Sequence, residues 1–315
     1  MLKPLGMRVL VALATLLFAS LLMFAATEIL PGDVAQAILG QYATPEALAA
    51  MRDRLGLDQP AYIRYVEWLG RMLVGDLGQS TSTGQPVATL IEDRLRNTLL
   101  LAFSTALVAV PLALALGLVA ATHANSAVDH SITIAALIAV AVPEFFTAIL
   151  LIYLFSVSLE WLPSISMIRS GQTLSDTLDQ LILPVAVLTL VVMAHTVRLT
   201  RNSLVNVLSS GFIETAILKG IPRNRIILFH ALPNVLSPIF TIVALTLAYL
   251  VSGVVIVETV FSYPGLGRLM VDAVAGRDIP LIQACGMIFC LVYVLLNMTA
   301  DVLSTLANPR LRAPR

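Results

Sequence analysis

The amino-acid sequence predicts an all-α integral membrane protein with six transmembrane helices. Hydrophobic residues make up 58% of the 315 residues, charged residues only 12%, and the mean hydropathy is +0.91. Soluble domains carry about 25% charged residues, so this composition indicates lipid as the main solvent. The formal net charge is zero. Nucleic-acid binding requires a concentrated basic patch, so no nucleic-acid partner is expected.

Six apolar segments are long enough to cross a bilayer, which takes roughly 20 mostly apolar residues. They lie at about 8–30, 97–121, 132–157, 181–201, 235–260 and 281–304. The first segment follows Lys3 and Arg8, as a signal peptide would, but it is too long and lacks a small-x-small cleavage site before Pro31. We therefore expect residues 1–30 to form a retained N-terminal transmembrane helix.

Residues 31–94 differ in composition from the rest and are expected to form an extracytoplasmic loop. Pro31 ends the first helix. Thr44, followed by proline, is typical of a helix N-cap and predicts a helix to about Leu55. The segment 62–73 predicts an amphipathic helix. Its aromatic residues indicate either the membrane interface or the core of a small external cap.

The remaining spans are bounded by prolines and turn-rich loops. We expect the fourth span to start at Pro184, because proline suits the first turn of a helix. Cys285 and Cys290 are five residues apart in an apolar run, so they are interpreted as small buried hydrophobic residues. The histidines are too scattered for a zinc site, and no metal is expected; they are His123, His130, His195 and His230.

The distribution of Lys and Arg predicts that both termini are cytoplasmic, because basic residues in short flanks set the orientation. With the N-terminus inside, the cytoplasmic segments hold Lys3, Arg8, Arg198, Arg201, Lys219, Arg223, Arg225, Arg310, Arg312 and Arg315. The two short external loops hold only Arg169, Arg268 and Arg277. The long first external loop also contains arginines, but long loops translocate largely regardless of charge.

A basic, amphipathic segment at about 202–234 separates the fourth and fifth spans. It predicts a short helix with Glu214 in its first turn, where a negative charge suits the helix dipole. The predicted apolar face of this helix consists of Phe212, Ile213, Ala216 and Ile217. Gly220 is expected to end the helix in a conformation that β-branched residues resist.

Pro222 then opens a second short helix, and Pro233 is expected to interrupt the chain before the fifth span. An exposed apolar face rimmed by charge indicates a docking surface. An amphipathic loop resting on anionic lipid head groups would show the same pattern.

A sequence motif runs through this loop. Glu214-Thr215-Ala216-Ile217-Leu218-Lys219-Gly220, followed by Leu232-Pro233, has the spacing Glu-x-Ala-x-x-x-Gly-x₁₁-Leu-Pro. This spacing resembles the EAA loop of binding-protein-dependent ABC permeases. Other segments of that family occur in the same order along nearly the whole chain. They are Leu55–Pro60, Arg96–Leu99, Val142–Phe146, Glu160–Pro163, Arg201–Leu204, His230–Asn234, Phe261–Gly267, Arg277–Pro280 and Asn308–Arg310. Together they resemble the dipeptide, oligopeptide and nickel permeases of bacterial ABC importers, in particular the subunit with a large loop after its first span.

This resemblance implies a type I ABC transmembrane domain at 95–304, preceded by one extra helix and followed by a cytoplasmic tail at 305–315. It also implies that Glu214, Ala216, Gly220, Leu232 and Pro233 couple the chain to an ATPase. The implied location is the bacterial inner membrane. Two departures from the family pattern bear on partner choice: Thr215 replaces the usual alanine, and Asn308 replaces the usual acid.

The implied partners are two ABC ATPase subunits, an extracytoplasmic substrate-binding protein, membrane lipid and a second, homologous permease. The pairing is expected to be heterodimeric, with a homodimer as the alternative. The implied cargo is a peptide or a related solute such as a nickel chelate, and the residues do not identify it further.

Two intramembrane glutamates, Glu144 and Glu258, are candidates for the translocation path, because ionisable residues within a membrane are costly and commonly functional. His195, Asn297 and Asp301 raise the same question. For each of them the alternative is a polar group that is paired inside the bundle or lies near a helix end.

No enzyme motif is present in the sequence. It lacks G-x-x-x-x-G-K-[ST], and its only lysines are Lys3 and Lys219. ATP is therefore expected to bind the partner subunits, and no cofactor is expected in this chain. An ion-coupled secondary transporter acting without an ATPase is the alternative function. It predicts inverted repeats, which the two halves do not show. An intramembrane hydrolase would need a nucleophile with a partnered base, and the sequence offers none.

Overall fold

A computed structural model describes residues 2–29, 43–54, 59–168 and 171–307, and these form helices and their connections. The helices are α1 (Leu2–Ile29), α2 (Pro45–Arg54), α3 (Ala61–Leu73), α4 (Val87–Thr122), α5 (Ala127–Ala141), α6 (Glu144–Leu151), α7 (Leu174–Leu208), α8 (Gly211–Leu218), α9 (Arg223–Ile226), α10 (Leu232–Val260), α11 (Leu266–Ala275) and α12 (Ile279–Ala307). Two π-helical segments, Ile152–Ser158 and Ile227–Ala231, continue α6 and α9.

The apolar helices confirm the predicted membrane fold. Within the described ranges, four helical stretches are long and apolar enough to cross a bilayer, namely Gly6–Ile29, Val87–Thr122, Leu174–Leu208 and Ile279–Thr299. Two bent pairs raise the number to six if each counts as one span. One pair is Ala127–Ala141 with Glu144–Ser158, and the other is Arg223–Val235 with Pro238–Val251.

The third span is not the single helix that the sequence predicted at 132–157. The axes of its two halves differ by 99° at the break before Glu144. Pro143 lies at this break, and a proline disfavours the helical conformation in the residue before it. Val142 accordingly adopts the extended φ and ψ of −86° and 124°.

The fourth and fifth spans also depart from prediction at their prolines. α7 starts at Leu174 rather than Pro184, because Thr173 caps it by accepting a hydrogen bond from Asp176 N at 3.2 Å. Pro184 lies buried inside this helix. Pro233 does not interrupt the chain but lies in the first turn of α10, where no backbone donor is needed. The 57° bend of this span lies further on, before Pro238.

The centre of the bundle is the packing of α4, α7 and α10. Leu101, Val187, Leu188, Leu250 and Val254 are almost fully buried there. Gly117 lets α4 and α7 approach closely, since a Cβ at this position would lie only 2.7 Å from Thr200 Cβ. A second cluster at the α4 N-terminal end joins α4, α11 and α12, and a third joins the opposite end of α4 to α7, α8 and α10.

The N-terminal helix packs along α12. Gln283 Nε2 donates to Thr27 Oγ1 at 2.8 Å. The aromatic side chains of α3 contact α1: the ring centroids of Tyr65 and Trp68 lie 5.4 and 5.9 Å from that of Phe24. Since no residue of α3 is buried, this helix lies against α1 rather than forming a core of its own.

The N-cap of α2 and the two cysteines agree with the sequence. Thr44 caps α2 as predicted, accepting a hydrogen bond from Ala47 N at 3.2 Å. Cys285 is buried, Cys290 is half-buried, and both are free thiols. The positions that lie outside the described residues include Pro31, the motif residues 55–58, Arg169 and the tail motif at 308–310.

Candidate functional site

The loop between α7 and α10 folds into the predicted short helix α8, and Gly220 ends it. Gly220 has a φ of +74°, the left-handed conformation that favours glycine. Gly220 N donates to Ile217 O at 2.9 Å, and Ile221 N donates to Ala216 O at 3.2 Å. This pair of bonds is the Schellman arrangement that satisfies the last carbonyls of a helix. The predicted helix end is therefore confirmed.

The predicted apolar face of α8 is divided in the structure. Ile213 and Ala216 are 2% and 5% exposed and are seated against α4, α7 and α10. Phe212 and Ile217 flank this pair and remain 46% and 60% exposed. Successive residues lie about 100° apart around a helix. The four residues of the predicted apolar face therefore spread over too much of the helix surface for all of them to contact the bundle.

The outward side of α8 combines charge with an unusually exposed apolar residue. Glu214 is exposed in the first turn, and Leu218 is 83% exposed. Of the other coupling residues, Pro233 is exposed and Leu232 is half-buried. The structure therefore brings the five predicted coupling residues to one end of the bundle. Ala216 is buried in the contact with α4, α7 and α10, whereas Glu214 lies on the exposed side of α8.

A hydrogen bond and an ion pair, each from an arginine, fix this end of the bundle. Arg223 Nη2 donates to Thr122 O, the carbonyl of the last residue of α4. Arg201 binds Asp129 through two parallel contacts, Nε to Oδ1 at 2.5 Å and Nη2 to Oδ2 at 2.6 Å. Asp129 is 2% exposed, and a bidentate pair of this kind fixes orientation as well as distance.

Sequence reasoning missed the pairing of Asp129 with Arg201. The partners are 72 residues apart, and no local pattern connects them. The available signal was Ser126, which caps α5 by accepting from Asp129 N at 3.3 Å and thereby holds this acid in the first turn.

Glu258, the second candidate for the translocation path, lies at the turn between α10 and α11. Its side chain is fully buried. Oε1 accepts from Thr98 Oγ1 at 2.6 Å, and Oε2 accepts from Arg268 N at 3.0 Å. A Cβ on Gly265 would lie 2.0 Å from Oε1, so only glycine fits there. This position favours the structural alternative, in which Glu258 fastens the turn between α10 and α11 to α4.

The turn between α10 and α11 also brings two of the family-like segments into direct contact. Asn97 Nδ2 donates to Pro264 O at 2.9 Å, and Tyr263 OH donates to Asn97 O at 2.7 Å. Segment 96–99 therefore holds segment 261–267 directly.

At the same end, Asp278 fastens the loop before α4 to the start of α12. Its carboxylate accepts hydrogen bonds from Ser80 Oγ, from Thr81 N at 3.1 Å and from Ser82 Oγ at 2.8 Å. Asp278 and Ser80 are 0% and 2% exposed.

Glu144 lies in the first turn of α6, directly after the break in the third span, and lines a cavity. Tyr249 OH on α10 donates to Glu144 Oε1 at 2.6 Å. The cavity has a volume of about 620 Å³ and lies between the end of α5, α7, α10 and α12. His195 and Tyr293 also line it. The structure thus separates the two candidate glutamates, since Glu258 belongs to the turn described above.

Two family descriptions match this chain. Residues 113–313 match the binding-protein-dependent transport system inner membrane component. Residues 1–102 match the N-terminal component of the same transport systems.

Similar curated proteins cover nearly the full length of this chain. A probable peptide ABC transporter permease protein of Sinorhizobium fredii is 35% identical over 97% of both chains. A putative peptide transport system permease protein of Brucella abortus and a glutathione transport system permease protein of Salmonella choleraesuis are each 36% identical over 97% of both chains.

A solved structure of the MetNI methionine ABC transporter, described as inward facing, shares the fold. The TM-score is 0.57 at 16% identity, and the match covers 71% of this chain and 98% of that chain. The architecture is therefore that of a type I ABC transmembrane domain with an additional N-terminal helix. The chain belongs to the family of binding-protein-dependent transport system inner membrane components, as a multi-pass ABC importer permease of the peptide and glutathione type.

Proposed function

We propose that this chain is one of two homologous, non-identical permeases that enclose a translocation path in the bacterial inner membrane. The solute is a peptide or a closely related small molecule, and an extracytoplasmic binding protein delivers it. The names of the relatives, which refer to peptide and glutathione transport, support this solute class. Two ABC ATPase subunits bind ATP and supply the driving force, while this chain binds no cofactor of its own.

The observation that carries this proposal is the division of α8 into a seated side and a free side. Ile213 and Ala216 fix the helix to the ends of α4, α7 and α10. Phe212 and Leu218 remain exposed, and Leu218 lies one helical turn from the exposed Glu214 on the same side of α8. A short helix seated on three long helices can pass a displacement to all of them. Its free side, apolar and edged by charge, has the character of a protein-binding surface.

The proposed mechanism is a shift between two states of the assembly. Closure of the two ATPases on ATP moves the docked helix α8 and with it the spans on which it is seated. The path then alternates between outward- and inward-facing forms, with ATP as the ligand that biases the equilibrium. The α8 end is cytoplasmic in this proposal, and the loop at 31–94 is extracytoplasmic.

Co-expression with the presumed second permease, the ATPases and the binding protein tests this assembly. Native mass spectrometry of the purified complex should show one copy of this chain, one of the second permease and two ATPases. A stable complex with two copies of this chain and no second permease would refute hetero-pairing. Absence of any co-purifying ATPase would refute the coupling role.

Substitution of Gly220 tests whether α8 is the coupling element. A Cβ there meets nothing within 4 Å, so Gly220→Val acts only through the left-handed backbone, at a cost of about 1–2 kcal/mol. The protein should remain inserted, but uptake should fall at least severalfold, with ATPase lost or hydrolysis uncoupled. Gly220→Asn is the matched control, since asparagine tolerates this conformation. Normal uptake and ATPase binding in the valine variant would mean that the loop only rests on lipid.

A further inference from the structure

The cavity beside the broken third span has the size and construction of a small-molecule site. Its volume of about 620 Å³ falls within the roughly 300–1,000 Å³ typical of ligand pockets. Its walls are mainly apolar, and a few polar side chains converge on it, namely Glu144, His195, Thr196, Thr246, Tyr249 and Tyr293. Such a combination of apolar walls with few polar groups is characteristic of specific binding sites.

Glu144 is the only carboxylate among the described residues that line this cavity. Oε1 is held by Tyr249 OH at 2.6 Å. Oε2 is buried and has no hydrogen-bond partner among the described residues. A carboxylate at membrane depth is costly unless it is partnered, and a buried acceptor without a donor adds to that cost. The cavity thus offers an anionic acceptor to which a bound solute can donate.

The surroundings of Glu144 favour an organic cation over a metal ion. Within the described part of the chain, no group of three or more His, Cys, Asp or Glu side chains is arranged to hold a metal. Divalent metals require several such ligands or oxygen donors. Tyr249 and Tyr293 instead contribute aromatic rings to the lining, and ring faces attract ammonium groups.

The α7 wall contributes no charged side chain to this cavity among the described residues. His195 lines the cavity from α7, and Arg198 Nη2 lies 3.4 Å from His195 Nδ1. Arg198 itself is exposed and is not one of the lining residues. Glu144 is therefore the group on which recognition of a charged solute depends.

We infer that this cavity binds the transported solute by its primary ammonium group, with Glu144 as the acceptor and Tyr249 as the residue that orients it. The inference rests on the proposed function and deepens it, because it places a selective site in the permease itself. Selection would then occur twice, in the binding protein and again in the membrane, and solutes with a blocked amino group would be rejected at the second step.

The first test is equilibrium binding to the purified permease–ATPase complex without the binding protein. The probes are radiolabelled L-alanyl-L-alanine and its N-acetyl derivative. Wild type should bind the free dipeptide at least tenfold more tightly than the acetylated one, as expected for loss of a charge-assisted hydrogen bond. Glu144→Gln should lose most of this preference, because glutamine keeps an acceptor for Tyr249 but has no charge.

Two further variants distinguish a specific loss of binding at this cavity from a general loss of function. Tyr249→Phe keeps the ring but removes the donor to Glu144, and it should weaken binding of the free dipeptide less than Glu144→Gln does. Glu67→Gln makes the same chemical change on the exposed surface of α3 and should bind as wild type does. Equal binding of the free dipeptide by wild type and Glu144→Gln, or no binding by either, would overturn the site.

Uptake by the complete transporter tests the underlying function separately. If wild type transports neither free dipeptides nor glutathione, the proposed peptide-type function fails, whatever the binding result. If wild type transports them and Glu144→Gln does so with unchanged preference for a free amino group, the function stands and the ammonium site is refuted.

Discussion

At the scale of single residues, Asp278 shows how one carboxylate holds a loop to the bundle. Burial raises the pKa of the Asp278 carboxyl, but hydrogen bonds from Ser80, Ser82 and Thr81 lower it by more, so its pKa lies below the ordinary value of 3.8. A carboxyl whose pKa is lower in the folded chain than in the unfolded chain stabilises the fold above its ordinary pKa. That stabilisation is lost as the pH falls through the lower, folded value.

Asp278→Asn should therefore destabilise the protein in a pH-dependent way. Asparagine removes the charge that Ser80, Thr81 and Ser82 face, and the expected loss is about 1–3 kcal/mol near neutral pH. Thermal inactivation midpoints of the purified protein should differ most near neutral pH and begin to converge below about pH 4, where the carboxyl of the unfolded chain becomes protonated. They should meet only below the lower pKa of the folded chain, where the native carboxyl is protonated as well. Asp93→Asn, on an exposed side chain that pairs with Arg96, is the control and should have little effect. A gap between wild type and Asp278→Asn that persists undiminished in acid would contradict the electrostatic explanation.

Local residue chemistry was predictable wherever the cause lay within a few residues. Gly220 is an example, since a helix needs a left-handed residue to end in this way and glycine adopts that conformation most easily. Glu258 is the opposite case. Its partners Thr98 and Arg268 come from two other parts of the chain. The sequence around Glu258 therefore showed an acidic residue within a membrane span, but not the hydrogen bonds that offset the free-energy cost of burying it.

At the scale of secondary-structure elements, the apolar runs predicted where the spans lie but not where the helices end. Hydropathy marks only the apolar part of a helix. α4 starts at Val87, ten residues before the predicted 97–121, because its first turns pack on α11 and α12. The sequence places a proline directly before Glu144, and a proline disfavours the helical conformation in the residue before it. The 99° angle, however, depends on how both halves pack against α7 and on how α6 packs against α10.

The contact between α4 and α7 depends on a single hydrogen atom at Gly117. A Cβ there would lie 2.7 Å from Thr200 Cβ and 3.1 Å from the backbone oxygen of Val197. Since a backbone atom cannot move aside as a flexible side chain would, Gly117→Val must push the helices apart. The expected destabilisation is about 1–3 kcal/mol. It should appear as a lower midpoint of thermal inactivation and reduced uptake. Gly6→Val is the matched control, because that position in α1 has nothing within 4 Å; an equal effect of both variants would indicate that valine itself, rather than the close contact, is responsible.

At the scale of the whole molecule, the fold requires that two loops lie on opposite sides of the membrane. α4 has 36 residues and is therefore ~54 Å long at 1.5 Å per residue, more than the ≈ 30 Å hydrocarbon thickness. Gln85 lies two residues before Val87, the first residue of this helix. Asn224 follows Arg223, which donates a hydrogen bond to the carbonyl of Thr122 at the other end of α4. Gln85 and Asn224 therefore lie near opposite ends of α4. The distribution of Lys and Arg predicts that Asn224 is on the cytoplasmic side of the membrane.

Cysteine labelling in intact cells tests the fold and the orientation together. Gln85→Cys and Asn224→Cys, each in a background in which Cys285 and Cys290 are replaced by alanine, present exposed positions. Ser80 would be a poor choice in the same loop, because it is only 2% exposed and bonded to Asp278. A membrane-impermeant maleimide should label position 85 from outside and position 224 only after permeabilisation, which also shows that the inner cysteine is reactive. Labelling of both from outside would contradict the span assignment of α4. Labelling of position 224 alone would keep the fold but reverse its orientation, and it would place α8 where no cytoplasmic ATPase can reach it.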